Sequence, residues 1–107
     1  MALTSKQRAK LRSLAQNLDA IAQFGKNEVT DEQIEMVDRM LTARELIKCT
    51  VLESSPYTAR EACEILAEKT GAEPVQAIGR RFVLYRRNNE KPVIELYPKT
   101  GQEAVAA

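Results

Sequence analysis

The sequence predicts an α/β sandwich in the order α-β-α-β-α-β-β, built on a four-stranded mixed sheet. Three observations carry this. Two helical segments open on a threonine followed three residues later by Gln or Glu, Thr30 with Gln33 and Thr58 with Glu61, which is the capping-box pattern. A largely apolar run, Glu45 to Leu52, follows the first of these helices, as expected of a strand reached by a right-handed crossover from an earlier parallel strand. Two short extended runs then flank Gly79, which reads as an antiparallel hairpin.

The first helix is expected from Ser5 to Leu18, with Thr4 as its N-cap. At 100° per residue Leu11, Leu14 and Leu18 share a face, with Ala15 beside them. Lys6 and Lys10 border that stripe on one side, Arg8 and Arg12 on the other. Ala20 to Phe24 is a short strand broken by Gly25. Val29 stands just before the Thr30 cap, placed to staple onto Ile34. Ile34, Val37 and Leu41 line the inner face of helix two; Asp31, Glu32, Glu35 and Asp38 cover the outer one, and the early acids suit the positive end of the helix dipole.

Ser54-Ser55-Pro56 is a turn, and helix three runs from Tyr57 or Thr58 to Thr70. Its inward residues are Ala59, Ala62, Cys63 and Leu66, and Gly71 suits the position after its end. Val75 to Ile78 and Phe82 to Tyr85 are the third and fourth strands, joined by the turn Gly79-Arg80-Arg81. Pro92 to Tyr97 is expected to add a short extended segment. Residues 1–98 then form one domain, and 99–107 a tail with too little anchoring to be ordered.

Composition bounds the function. Within 107 residues, 25 are Leu, Ile, Val or Phe, which supports a modest core but no large buried substrate cavity. With no histidine, a Ser-His-Asp triad, a Cys-His pair or a His-bearing metal site cannot be built from this chain alone. Cys49 and Cys63 sit in apolar stretches without a Cys-x-x-Cys pattern and are expected to be small buried core residues. No secretory leader pattern opens the sequence, and its apolar runs are too short to span a membrane, so a reducing, cytoplasmic setting is expected.

Charge is balanced overall, 16 bases against 15 acids, but unevenly distributed. Residues 1–18 carry four bases and no acid; 19–40 carry two bases and six acids; 79–91 carry five bases and one acid. Should helix one and the hairpin lie together, they form a basic surface for a polyanion; otherwise such side chains merely line the core and solvate. The loop Gly25-Lys26-Asn27 lies between a strand and a helix start, where backbone N–H groups and a glycine favour phosphate approach. It is too short for a Walker A loop, and an ordinary strand-to-helix turn would look the same.

Several strings in order, Leu3-Thr4-Ser5-Lys6-Gln7-Arg8, Gly25-Lys26-Asn27 with Val29-Thr30, Glu45-Leu46-Ile47-Lys48, Gly71-Ala72-Glu73-Pro74-Val75-Gln76, Ile78-Gly79-Arg80 and Val83-Leu84-Tyr85-Arg86, together resemble the CRM domain, and more narrowly the stand-alone bacterial YhbY-like proteins. The resemblance covers residues 3 to about 97. It implies a fold similar to the C-terminal domain of translation initiation factor three and an RNA-binding role. Bacterial members are associated with precursors of the large ribosomal subunit, and plant organellar relatives with intron splicing. The family's GxxG loop maps onto Gly25, Lys26, Asn27 and Glu28. A glutamate thus replaces the second glycine: either it turns outward and the clamp works through Gly25 and Lys26, or the loop contributes less here.

The expected function is non-catalytic binding of structured RNA, specifically ribosomal RNA of the assembling large subunit. No cofactor, metal, membrane or small-molecule substrate is expected. The expected contacts are Gly25, Lys26 and Asn27 in the loop, Lys6, Arg8, Lys10 and Arg12 on helix one, and Arg80, Arg81, Arg86 and Arg87 at the hairpin. Strand alternation sends Arg80 and Arg86 to one side and Arg81 and Arg87 to the other, so all four cannot meet one RNA surface. Tyr85 is expected to pack rather than stack on a base. The alternative is a module that docks on a ribosomal protein or assembly factor through its apolar strands and acidic helix two.

Overall fold

The structure, a computed structural model, describes residues 3–26, 29–88 and 94. Its elements are α1 (Ser5–Ala15), β1 (Ala20–Phe24), α2 (Asp31–Arg44), β2 (Leu46–Val51), α3 (Ala59–Thr70), β3 (Glu73–Ile78) and β4 (Arg81–Tyr85), in the predicted order. The sheet runs β1-β2-β4-β3, with β1 parallel to β2 and the other pairs antiparallel. The predicted tail and the extended segment Pro92–Tyr97, apart from Ile94, lie outside the described residues.

Each helix starts on a threonine whose hydroxyl accepts from a backbone N–H three residues on, and Gln7, Gln33 and Glu61 return the bond to the cap N–H. Gly71 ends α3 in the left-handed conformation, φ +73°. Gly79, φ +61°, is the first residue of the two-residue hairpin turn that joins Ile78 to Arg81.

Helices pack on both faces of the sheet. Phe24, Ile47, Cys49, Val51, Phe82 and Leu84 pack under α2 and α3, against Val37, Leu41, Ala62, Cys63 and Leu66. Leu46, Val83, Tyr85 and Val75 project the other way, against Leu3, Leu11 and Ala15. Tyr85 is buried, as its apolar setting predicts. Val29 and Ile34 pack against the larger core together.

The differences from expectation have local causes. α1 stops at Ala15 because Gln16, Asn17 and Leu18 donate to carbonyls three residues back, a tightening that ends the helix. The stripe of α1 is centred on Leu11 and Ala15, which leaves Leu14 at its margin and 39% exposed. β3 begins two residues earlier than predicted, since an edge strand tolerates Pro74.

Glu45 departs furthest. It is not the first residue of β2 but the cap of α2, with φ +65°, and it is fully buried. Its N–H donates to the Leu41 carbonyl and its own carbonyl accepts from the Arg86 N–H. Its carboxylate accepts from the Asn88 and Ile94 backbone N–H groups, both at 2.6 Å. A non-glycine residue in this region costs about 1–3 kcal/mol and persists where its surroundings over-determine it, as these bonds do.

Replacing Glu45 by Ala removes a buried acceptor from two part-buried donors and should lower the unfolding free energy by about 2 kcal/mol in urea titration. A loss within about 0.5 kcal/mol, as at ordinary surface sites, would show the carboxylate to be dispensable. The two cysteines are free and buried. Burial, with the neighbouring Cys63, pushes the Cys49 thiol up to about 12; burial, with Glu64, pushes Cys63 up to about 11. Because the folded values lie above the ordinary 9.0, the stabilisation this provides is complete below that pH and is lost as pH rises through 11 and 12. At neutral pH a thiol reagent should label neither cysteine until denaturant is added; rapid native labelling would contradict their burial.

Candidate nucleic-acid interface

β1 and β2 run in the same direction, so the loop after β1, the loop after β2 and the β3–β4 hairpin gather at one end of the sheet. Three contacts fix this. The Leu52 N–H donates to the Phe24 carbonyl at 2.8 Å, the Val51 N–H donates to the Arg80 carbonyl at 2.7 Å, and Arg80 pairs with Glu53 at 3.1 Å. Gly25 and Lys26 therefore stand beside Leu52, one strand away from Arg80 and Arg81. Lys26 is exposed. Asn27 and Glu28 lie outside the described residues.

At this end one face of the sheet is open. Gln23 pairs with Thr50, Thr50 with Arg81 and Arg81 with Ile78, so these four form a row across all the strands, on the face opposite Phe24, Val51 and Phe82. Lys48, next along β2 on the same face, was not among the expected contacts. The signal was the alternation Ile47, Cys49, Val51 against Lys48 and Thr50, which a reading of the strand as apolar throughout passes over. Lys48 also lines a cleft of about 370 Å³ with Leu18, Asp19 and Leu46, where the end of α1 meets β2.

α1 lays Arg8 against the outer strand of the sheet. The Arg8 guanidinium donates to the Pro74 carbonyl, and Arg8 shares a cleft with Gln76 and Ala77 of β3 and with Arg60 and Glu64 early in α3. Arg8, half-buried, is thus held along the outer strand β3 and anchored near its start, the end of the sheet remote from the hairpin; Arg12, one turn on, is also half-buried. Lys6 and Lys10 are exposed on the opposite flank. Of the expected cations, the fold gathers Lys26, Arg80 and Arg81 at one end of the sheet, while Arg8 is tied to Pro74 near the other.

Arg86 requires a correction: it is a structural residue, not part of that surface. It leaves β4 at the far end on the α2/α3 side, as alternation requires, and is 23% exposed. Its guanidinium donates to the Asp38 carboxylate at 2.6 Å, the Asp38 carbonyl at 2.9 Å, the Thr42 hydroxyl at 2.9 Å and the Thr70 carbonyl at 2.7 Å, tying α2 to the end of α3. Arg87 follows it, exposed, at that same far end. Arg80 keeps its place at the hairpin but shares its charge with Glu53, in an exposed pair of small energetic weight. The positive end of α2 carries Asp31 and Glu32 in its first turn, so its dipole is already complemented.

The model of the CRS1 / YhbY (CRM) domain matches residues 3–86. The chain belongs to the CRM domain family. Among CRM relatives, the Bacillus subtilis protein named "Probable RNA-binding protein YqeI" is 40% identical over 94 residues, 88% of this chain and 98% of the relative. A Haemophilus influenzae protein named "RNA-binding protein" is 31% identical, over 85% of this chain and 92% of its own. The solution structure of SAV1595 from Staphylococcus aureus, put forward as an RNA-binding protein, superposes with a TM-score of 0.71 at 43% identity, covering 87% of this chain and 95% of that one. The CRM fold expected from the sequence is the fold observed.

Gly25 does not adopt a positive φ, and a Cβ there would meet Leu52 Cδ1 and Ser54 Oγ at 3.7 Å, ordinary contact. Its use is thus not conformational. Gly25→Ala should leave the thermal midpoint within a few degrees while weakening RNA binding several-fold, because the added methyl keeps a phosphate from the backbone. Unchanged affinity in a filter-binding titration would show that no phosphate approaches this loop.

Proposed function

We propose that this protein binds structured RNA without acting on it chemically, and that its target is ribosomal RNA in precursors of the large ribosomal subunit, in the cytoplasm. The observation that carries the RNA reading is the meeting of Lys26, Lys48 and Arg81, distant in sequence, around the open end of one sheet face beside Gly25. The names of its CRM relatives support the same reading. The ribosomal target rests on the YhbY-like resemblance. The non-catalytic reading is supported by the chain's side chains: it has no histidine, and both cysteines are buried with their thiols held neutral.

Phosphate contact by these three cations fixes a salt dependence. At a slope of about 0.9 per contact, affinity should fall about fortyfold between about 50 and 200 mM salt. Lys26→Ala and Arg81→Ala should each weaken binding across unrelated RNA sequences and reduce that slope by about one. A flat salt dependence, or no effect of either variant, would remove the electrostatic account. Crosslinking in cells should recover large-subunit ribosomal RNA; recovery mainly of messenger or transfer RNA would overturn the ribosomal assignment.

A further inference from the structure

We infer that the open end of the sheet is a seat for unpaired nucleotides, so that the RNA recognised carries a bulge or loop there rather than continuous duplex; this rests on the RNA reading above. The row Gln23, Thr50, Arg81 and Ile78 spans the four strands, about 14 Å at ordinary strand spacing. Its composition does not suit a duplex backbone, which needs cations along its length: it holds one cation, two neutral hydrogen-bonding side chains and one large aliphatic group. Ile78 is 66% exposed, the most exposed large hydrophobic residue among those described, and Leu52 beside Gly25 is 41% exposed.

Those four side chains match the parts of a splayed nucleotide. An aliphatic side chain and a guanidinium plane each offer a surface to a base, and Gln and Thr can donate to and accept from base edges. Four-stranded sheets in other RNA readers seat two or three bases this way. The phosphates that join such bases require cations beside the row, and Lys48, next along β2 from Thr50, and Lys26, on the loop after β1, supply them. Asp19 lies on the cleft shared with Lys48, and Glu53 is held by Arg80; the row itself contains no acid. Charge complementarity therefore selects a polyanion with exposed bases over an acidic or apolar polypeptide as the occupant.

The test compares a stem–loop RNA carrying an internal bulge with the same stem–loop in which the bulge is closed by pairing, both titrated at one salt concentration. The full-length protein should prefer the bulged RNA by about tenfold or more. Ile78→Ser, at an exposed position the core does not use, should abolish that preference while leaving affinity for the paired RNA unchanged. Arg81→Ala should weaken both RNAs. Equal affinity for the two RNAs, or an Ile78→Ser loss that is equal on both, would overturn the nucleotide seat and leave phosphate binding standing. Binding to neither RNA would overturn the RNA reading itself. A partner protein lost by Ile78→Ser with RNA affinity intact would assign the surface to protein docking instead.

Discussion

An eleven-residue helix is about 16 Å long and cannot cover one face of a four-stranded sheet whose strands reach six residues. That shortfall organises the molecule. α2 and α3 together close one face, so every inward residue of β2 and β4 on that side is apolar. α1 alone closes only part of the other, over Leu46, Val83, Tyr85 and Val75. Where its cover ends, the same strands change character, to Lys48, Thr50 and Arg81. The transition from core to ligand surface thus occurs within single strands, by alternation and by reach, without a separate binding element.

The two ends of the sheet divide the polar work. At the end remote from the glycine loop, charge is consumed internally: Glu45 collects backbone donors and Arg86 binds acceptors of α2 and α3. These groups are buried or half-buried and are tied to several partners each, so they hold geometry and are poorly placed to meet a ligand. At the opposite end the cations are exposed or sit at the edge of cover, and only Arg80 has an acidic partner among the ion pairs described there. Similar arginines near the two ends of β4 therefore have opposite fates, decided by what packs beside them.

Much of this was legible in the sequence because local signals agreed with the global fold. Thr30 with Gln33, Thr58 with Glu61 and the Gly71 stop placed α2 and α3 to within a residue or two, and the Gly79 turn placed the hairpin. Strand parity even separated Arg86 from Arg81. What was not legible depends on long-range contact. Glu45 looks like a strand residue until the chain after β4 returns to it, and Arg86 looks like a free cation until Asp38 and Thr70 surround it. Lys48 was hidden for the reverse reason: an apolar strand suggested burial on both faces, whereas α1 stops short of covering it.

The hold of Arg8 on Pro74 has one more effect. β3 is an outer strand of the sheet, and an outer strand with free backbone groups invites another chain to extend the ladder. Pro74 has no N–H to offer, and its carbonyl is already engaged by Arg8. An incoming strand finds neither donor nor free acceptor at that position, so the pairing register is interrupted near the strand's start. A single side chain of α1 thereby also discourages edge-to-edge self-association.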